Sequence, residues 1–392
     1  MIRKAHPQAK RAQAGLDTGG PIPPAVKIQG GKSKPLYNQI GQALSRIMPD
    51  RRVVEPFGGA AGVSLGMRAK EALLSDINPD LVSFHNRLID DPWSLEFEPE
   101  EFTYEVGDDI LMPDFKTDEV HDLGKVTQSM ADPFKGDPFF MGPKFYELRD
   151  EFNELRRKDS QGVIAQSERK RKDQLFLVLQ HMSMNGLLRY SPAEPSYENK
   201  WAGSLGFAGK EPINQPMESG FFEMMRERNQ KLPIKEGKGN TFRPQRFAGG
   251  KGKWEMNPWS QAMQGWEYTH RPLRDLMTSD IALDEKTDQF IVDPPYWGEQ
   301  GAHTFFGKEG QDQTLALLEA LKASRFPTTI YNSFSPDVVE PVRDLGFDIH
   351  ELSRRDQNSG KASGRGMKPE LMGQANIDQT AFMNAWNNIR QG

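Results

Sequence analysis

The segment Asp293-Pro294-Pro295-Tyr296 holds the residues of this sequence that are best suited to chemistry. It follows the apolar run Phe290-Ile291-Val292, which is typical of a short buried strand. Prolines end such a strand, because proline has no backbone N–H and its φ is fixed. The pattern therefore predicts a strand that stops at the carboxyl edge of a sheet, where open α/β folds bind their ligands.

The chemistry of this tetrapeptide is that of two adjacent acceptors beside an aromatic ring. The Asp293 carboxylate and a rigid proline carbonyl can together accept both N–H groups of an exocyclic amino group on adenine or cytosine. Accepting both protons draws the nitrogen lone pair out of the ring and makes it nucleophilic. The Tyr296 ring can stack on a base that is flipped out of a duplex. A plain strand stop is the competing interpretation, which the rest of the chain has to decide.

The composition of the 392 residues excludes several classes of protein. There is no cysteine, which excludes disulfides, zinc sites built on cysteine and thiol nucleophiles, and with them methylation of cytosine C5. The 7 histidines show no metal-ligand spacing, so we expect no metal. The sequence has no apolar run of the roughly 18 to 20 residues that span a membrane and no signal peptide. We therefore expect a soluble protein in the cytoplasm of a bacterium or phage-infected host, with no membrane partner, and a monomer is plausible.

Two strand-to-loop patterns in the first quarter of the chain predict a site for a nucleotide-like ligand. Residues 51–54 lead into Glu55-Pro56-Phe57-Gly58-Gly59-Ala60-Ala61-Gly62, a strand followed by a glycine-rich turn and a helix. A second strand, residues 72–75, ends at Asp76, where an acid is placed to bind ribose hydroxyls. Asn78 and Pro79 are typical of the N-cap and first position of the next helix.

Several segments, in chain order, resemble the motifs of the Dam-type DNA N6-adenine methyltransferases. They are Gly30-Gly31-Lys32, Val54 to Gly62, Ser75 to Asn78, Phe145 to Asn153, Asn185 to Tyr190, and Asp293 to Tyr296. The resemblance covers residues 26–90, 145–205 and 265–375. It implies a Rossmann-like α/β fold, in which a mostly parallel sheet has helices on both faces and a helical target-recognition domain is inserted.

The resemblance also implies a reaction, a cofactor and a partner. The reaction is transfer of a methyl group from S-adenosylmethionine to N6 of adenine in double-stranded DNA, with GATC as the candidate recognition site. The implied catalytic residues are Asp293, Pro294, Pro295 and Tyr296. The implied cofactor-binding residues are Lys32, Glu55, Pro56, Phe57, Gly58, Gly59, Asp76 and Asp293.

Candidate DNA-binding residues come from the resemblance and from local charge. An arginine after Asn185 can read a guanine edge by two parallel hydrogen bonds. Residues 231–253 hold seven basic residues and one acid, and residues 354–368 hold five basic residues and one acid. Such stretches suit a phosphate backbone, whereas the acidic stretch 96–122 would repel it. The candidates are Asn185, Arg189, Tyr190, Lys251, Arg354 and Arg355.

These observations divide the chain into three parts. Residues 1–25 have the composition of a disordered basic tail. Residues 26–90 and 265–392 form the expected S-adenosylmethionine-binding catalytic domain. Residues 91–264 form the expected target-recognition domain, with loop-rich insertions.

Three alternatives stay open. The tetrapeptide also suits N4 of cytosine, and the substrate could be RNA or a protein side-chain amide. A non-catalytic DNA-binding relative is the third, since Ile28 stands where the family usually has tryptophan and Ala61 where it usually has glycine. The long insertions and basic tail suit a phage or mobile-element enzyme, and a role in restriction-modification is a further hypothesis.

Overall fold

The structure is a computed structural model of the whole chain. It describes residues 7–26, 32, 35–97, 99–113, 120–127, 141–182, 190–191, 204–205, 207–208, 211–212, 255–271, 281–297, 307–355 and 367–391. The described helices are α1 (Pro7–Thr18), α2 (Pro35–Ile47), α3 (Gly62–Met67), α4 (Pro79–Asp90), α5 (Met141–Ser160), α6 (Gln166–Met182), α7 (Asn257–Ala262), α8 (Gly307–Ala323), α9 (Pro336–Asp344) and α10 (Gln379–Gln391). The described strands are β1 (Arg52–Glu55), β2 (Ala72–Asp76), β3 (Asp109–Pro113), β4 (Val120–Lys125), β5 (Tyr190–Ser191), β6 (Ser204–Leu205), β7 (Phe207–Ala208), β8 (Glu211–Pro212), β9 (Glu267–His270), β10 (Asp288–Val292), β11 (Thr328–Ser333), β12 (Asp348–Arg355) and β13 (Met367–Ala375).

Seven of the described strands form one mixed sheet in the order β12-β13-β11-β10-β1-β2-β9. The strands from β11 to β9 run parallel, and β13 is antiparallel to both β11 and β12. The predicted α/β fold with a mostly parallel sheet is therefore confirmed. The strand before the tetrapeptide, β10, is the middle strand of the seven.

One face of this sheet carries an apolar core. Phe290 and Val292 of β10 and Ile330 of β11 are fully buried there, with Leu371 of β13. They pack against residues of α8 and α9, among them Leu318. Side chains alternate between the two faces of a strand, so these positions are spaced by two.

The opposite face of the sheet is covered by α2 and α10. The Tyr37 ring of α2 meets the Tyr331 ring of β11 edge to face at 5.6 Å between centroids. His350 of β12 shares a 3.0 Å hydrogen bond with the Gln379 side chain at the start of α10. Tyr331 follows Ile330 directly in β11, and consecutive side chains of a strand point to opposite faces. This face therefore carries the strand residues that alternate with those of the apolar core.

The described part of the chain divides into two compact units, and the sheet belongs to the unit of residues 11–90, 194–200 and 258–392. The other unit comprises residues 1–10, 91–193 and 201–257. Its helices α5 and α6 pack together, with the Arg171 guanidinium 2.7 Å from Glu151. The basic run at residues 169–172 is therefore engaged with α5, where Arg169 and Lys172 also pair with Asp159.

The amino-terminal segment differs from the sequence-based prediction of a disordered tail over residues 1–25. Residues 7–18 form α1, and Ala12 is fully buried. A Cβ at Gly15 would lie 2.8 Å from the Pro21 carbonyl oxygen, so the helix packs closely on the segment that follows it. Small residues at close helical spacing bury this helix, although its composition resembles that of a solvated tail.

No helix in the described ranges is long and apolar enough to span a membrane. The predicted division into catalytic and target-recognition domains stays a prediction.

Candidate active site

The tetrapeptide lies at the carboxyl end of the central strand, as the sequence predicted. All five residues of β10 are buried, and Asp293 follows them directly. The next residue after the tetrapeptide, Trp297, donates its backbone N–H to Asn332 Oδ1 at 3.2 Å. Asn332 also accepts the Ser333 N–H at 2.8 Å. The end of β11 thus fixes the loop that carries Asp293.

A buried lysine reaches the Asp293 carboxylate from before α2. Lys32 Nζ donates to Asp293 Oδ1 at 2.7 Å and lies 3.5 Å from Glu370 Oε1. The Lys32 and Glu370 side chains are 1% and 0% exposed, and that of Asp293 is 18% exposed. Asp293 is therefore the solvent-facing end of a buried row of charges.

Aromatic rings complete the surroundings of Lys32. Its Nζ lies 4.8 Å from the ring centroid of Tyr296, 5.4 Å from that of Tyr37 and 5.7 Å from that of Tyr331. Such cation–π contacts stabilise a desolvated ammonium. Burial lowers the pKa of Lys32, but the attraction of Asp293 and Glu370 outweighs it and raises the pKa above its usual range. Lys32 is therefore a permanent cation.

Glu55 ends β1, next to the central strand. Its Oε1 accepts the backbone N–H of Ser64 at 3.0 Å and a short hydrogen bond from the Ser64 hydroxyl. The carboxylate therefore ties the end of β1 to α3. Burial raises the pKa of Glu55 to about 7, the bonds from Ser64 lower it, and the charge of Asp293 adds to the rise.

The glycine-rich turn after β1 is held by β2 and β9. Gly58 donates to the Ser75 carbonyl at 2.7 Å, and Gly59 donates to Asp76 Oδ2 at 3.0 Å. The Tyr268 hydroxyl of β9 donates to the Gly59 carbonyl at 2.6 Å. A Cβ at Gly58 would lie 2.8 Å from that hydroxyl, so only glycine fits there. The turn is therefore fixed before any ligand arrives.

Asp76 is anchored by backbone donors on both sides. Besides the Gly59 N–H, it accepts the Asn78 N–H at 2.9 Å. Asn78 Oδ1 in turn accepts the N–H of Asp80 at 3.1 Å, which confirms Asn78 as the N-cap of α4. These bonds hold the Asp76 carboxylate at the carboxyl end of β2, where the sequence predicted a ribose-binding acid.

The turn ends in a close contact with the segment that carries Lys32. A Cβ at Gly62 would lie 3.3 Å from the Lys32 backbone carbon, which is tighter than nearly all real contacts. The preceding Ala61 is fully buried with a φ of 56°. That left-handed conformation favours glycine, the residue the family usually has there.

The structure thus brings together most of the predicted catalytic and cofactor-binding side chains. Lys32, Glu55 and Asp293 meet at one edge of the sheet, and Asp76 closes the glycine turn. Phe57 packs partly buried against the apolar core. Tyr296 is 8% exposed, and its ring already contacts Lys32, so its stacking on a base stays a prediction.

The predicted DNA-binding residues are placed only in part. Asn185, Arg189 and Lys251 lie outside the described residues, as do Ile28 and the basic stretch 231–253. The backbone of Tyr190 pairs with Leu205. Arg354 and Arg355 end β12, where their backbones pair with Lys368 and Met367 of β13.

Sequence reasoning missed three residues around Lys32. From the sequence, Tyr37 and Tyr331 look like ordinary core aromatics, and Glu370 looks like an ordinary strand residue. The available signal was an acid directly before Leu371 and Met372, at a position of β13 that turns out to be fully buried. A carboxylate at a buried position calls for a buried partner.

The mostly parallel sheet, the glycine turn after β1 and the acidic tetrapeptide after β10 are consistent with an α/β methyltransferase fold. The sequence profile of the D12 class N6 adenine-specific DNA methyltransferases matches residues 29–194. The match covers 166 of the 392 residues, so the chain is similar to this family over less than half of its length. The tetrapeptide that begins at Asp293 lies outside the matched residues. Its position after β10 is therefore an observation of the structure that is independent of the match.

Two curated relatives are similar over a shorter stretch. They are the DNA adenine methylases of the Classical Ogawa and El Tor Inaba strains of Vibrio cholerae serotype O1, each 41% identical over 68 residues. That stretch is 17% of this chain and 23% of each relative. The match therefore spans about a quarter of the length of these relatives.

Proposed function

We propose that this protein transfers a methyl group from S-adenosylmethionine to N6 of an adenine in double-stranded DNA. The observation that carries the proposal is the adjacency of two strand ends. β1 and β10 pair in parallel, with Val54 opposite Phe290. The glycine turn and the acidic tetrapeptide therefore leave the sheet side by side, which supports a proposal of a cofactor site beside an amino-group site.

The roles of the residues follow from their contacts. Asp293 and the Pro294 carbonyl accept the two N–H groups of the adenine amino group, so the nitrogen lone pair becomes available for attack. Bound S-adenosylmethionine would supply the methyl group and leave as its neutral sulfide, and the amino nitrogen would release one proton to solvent beside the partly exposed Asp293. Lys32 fixes the orientation of Asp293 through its 2.7 Å bond. Catalysis then rests on positioning and electrostatics.

The residues present fit the implied cofactor. When bound, S-adenosylmethionine supplies an electrophilic methyl group on a positively charged sulfur. Asp293 and Glu370 both lie within 3.5 Å of the Lys32 ammonium, so these three described side chains carry more carboxylates than cations. A sulfonium suits such surroundings. The anchored Asp76 is the proposed acceptor for the ribose hydroxyls.

The sheet also supports a DNA contact at the same edge. The last pair between β11 and β13 is Ser333 with Glu370, and β12 and β13 continue beyond it through Arg354 and Lys368. Basic residues thus extend past the site on the side where Asp293 lies. We propose that this extension contacts phosphates. GATC is the recognition site that the resemblance to Dam-type enzymes supports.

The test is transfer of labelled methyl from S-adenosylmethionine to a pool of unmethylated duplexes, some with GATC and some without. The modified nucleoside is then identified by mass spectrometry. We expect N6-methyladenine, with GATC duplexes preferred. N4-methylcytosine would move the proposal to the other amino group. Absence of label on every duplex, from protein that binds the cofactor, would contradict the proposed function.

A further inference from the structure

Glu370 is the more deeply buried of the two carboxylates that approach Lys32. Its side chain is fully buried, whereas Asp293 at the other side of the lysine is 18% exposed. Burial raises the pKa of Glu370, while Lys32 and a hydrogen bond from Tyr37 lower it. Glu370 therefore acts on the chemistry only through the residues it touches.

Glu370 is oriented from two directions. The Tyr37 hydroxyl of α2 donates a short hydrogen bond to Oε2. The other oxygen, Oε1, is 3.5 Å from Lys32 Nζ. Two elements far apart in the sequence thus aim one carboxylate oxygen at the lysine.

The charges around Lys32 do not balance. One ammonium is shared by Asp293 at 2.7 Å and Glu370 at 3.5 Å. If Asp293 were the single carboxylate beside Lys32, the ammonium would neutralise its charge fully. Burying a second carboxylate costs desolvation free energy, which a neutral side chain of similar size would avoid. Stability therefore gives no reason for an acid at position 370.

We propose that Glu370 is a positioning residue that draws part of the Lys32 charge away from Asp293. The Asp293 carboxylate then remains a strong acceptor for the adenine amino group instead of the closed half of an ion pair. This inference rests on the proposed function. It assigns to the last strand of the sheet a part in activating the nucleophile.

The test is a double-mutant cycle of Glu370→Gln and Lys32→Met, measured as kcat and KM at saturating cofactor. In the presence of Lys32, we expect Glu370→Gln to lower kcat by at least about tenfold and to leave KM for DNA within about twofold. In the Lys32→Met protein, the same change should alter kcat by less than about twofold. Equal losses in both proteins, or full kcat in Glu370→Gln, would overturn the inference.

Two further variants separate positioning from a general disturbance of the strand. Tyr37→Phe removes only the hydroxyl that orients Glu370, so we expect a smaller loss of kcat in the same direction. Gln374→Met is the matched control, because Gln374 lies on the same face of β13 and is fully buried. We expect it to retain wild-type kcat. A loss in Gln374→Met as large as that in Glu370→Gln would contradict a specific role.

A measurement without turnover distinguishes this inference from the proposed function. In protein with ¹⁵N-labelled lysine side chains, the Lys32 ammonium resonance is identified by its loss in Lys32→Met. We expect Glu370→Gln to shift this resonance and Gln374→Met to leave it in place. An unmoved resonance in Glu370→Gln would contradict the inference alone. A wild-type protein inactive on every duplex would contradict the proposed function alone.

Discussion

The two faces of the central sheet bury different chemistry on the same strands. On one face, Phe290 and Ile330 pack against α8 and α9 in a continuous apolar core. On the other, one residue along each strand, Gln289 and Tyr331 are equally buried but polar. Since side chains alternate along a strand, one set of backbone hydrogen bonds serves both faces. Near Lys32, Glu370 and Tyr331 thus alternate with Leu371 and Ile330 of the apolar core.

Asp293→Ala is the sharpest test of the face that carries the site. Removing the acceptor should lower kcat by about 10³-fold to 10⁴-fold, which is about 4 to 5 kcal/mol in the barrier. The fold should persist, because Lys32 keeps Glu370 as a partner. Methyl-transfer kinetics measure the loss of kcat, and a thermal melt checks that the fold persists. A collapse of the melting temperature would show that this face also supports the fold.

Phe290→Ala tests the opposite face of the same strand. The fully buried ring packs edge to face on Phe326 at 5.1 Å between centroids, and its loss leaves a cavity. We expect the free energy of unfolding to fall by about 3 to 4 kcal/mol. Activity per folded molecule should stay within a few-fold of wild type. Urea titration measures the free energy of unfolding, and methyl-transfer assays give the activity per folded molecule. A large drop in kcat in fully folded protein would show that this face also affects the reaction.

Glu55 should make stability depend on pH with an uncommon sign. Its pKa is raised from 4.5 to about 7 by burial, so between these values the folded state holds a proton that the unfolded chain has lost. Its contribution to stability therefore falls as the pH rises through that window, by on the order of 3 kcal/mol. Urea titrations of wild type and Glu55→Gln from pH 4.5 to 7.5 give the difference. Parallel curves would contradict the prediction.

The contribution of His85 to stability should change with pH in the opposite direction to that of Glu55. It should therefore mask part of the Glu55 effect in wild-type protein. His85 stacks on Tyr268 at 4.5 Å, and burial lowers its pKa from 6.5 to about 4. The unfolded chain binds the proton first, so the contribution of His85 to stability rises with pH between these values. His85→Phe keeps the ring stack and removes the titration. The same titrations on this variant should expose the falling slope of Glu55 more steeply.

Ala61→Gly has the smallest expected effect. The left-handed backbone at this position strains any residue with a Cβ, at a cost of about 1 to 2 kcal/mol, which the greater freedom of glycine in the unfolded chain partly offsets. We expect a gain of about 1 kcal/mol in the free energy of unfolding. Ala60→Gly is the matched control, because Ala60 is buried and has no left-handed φ. It should lose stability instead.

The parts of the fold that follow from local pattern were predictable. The buried runs before Asp76 and Asp293 gave β2 and β10, and Asn78 gave the start of α4. These assignments need only side-chain periodicity, proline and a capping residue, all of which act within a few residues.

The parts that were missed depend on contacts between distant segments. Tyr37 and Glu370 are separated by 333 residues, and neither has a neighbour in sequence that predicts the other. The helix at residues 7–18 was missed for a related reason, since its burial rests on small residues that carry no strong hydrophobic signal. Local patterns located the tetrapeptide at the end of β10, but the charges around it come from the tertiary fold.

The position of β13 inside the sheet has a consequence for how the protein is made. β13 lies between β11 and β12, so β12 has no place in the sheet until the later strand is inserted. On the ribosome the chain emerges from its amino end, and Lys32, Glu55 and Asp293 are all synthesised before Glu370. Until then β11 is an open edge that can pair with other chains. Maturation of the site and protection of the nascent chain from aggregation thus coincide in one late folding step.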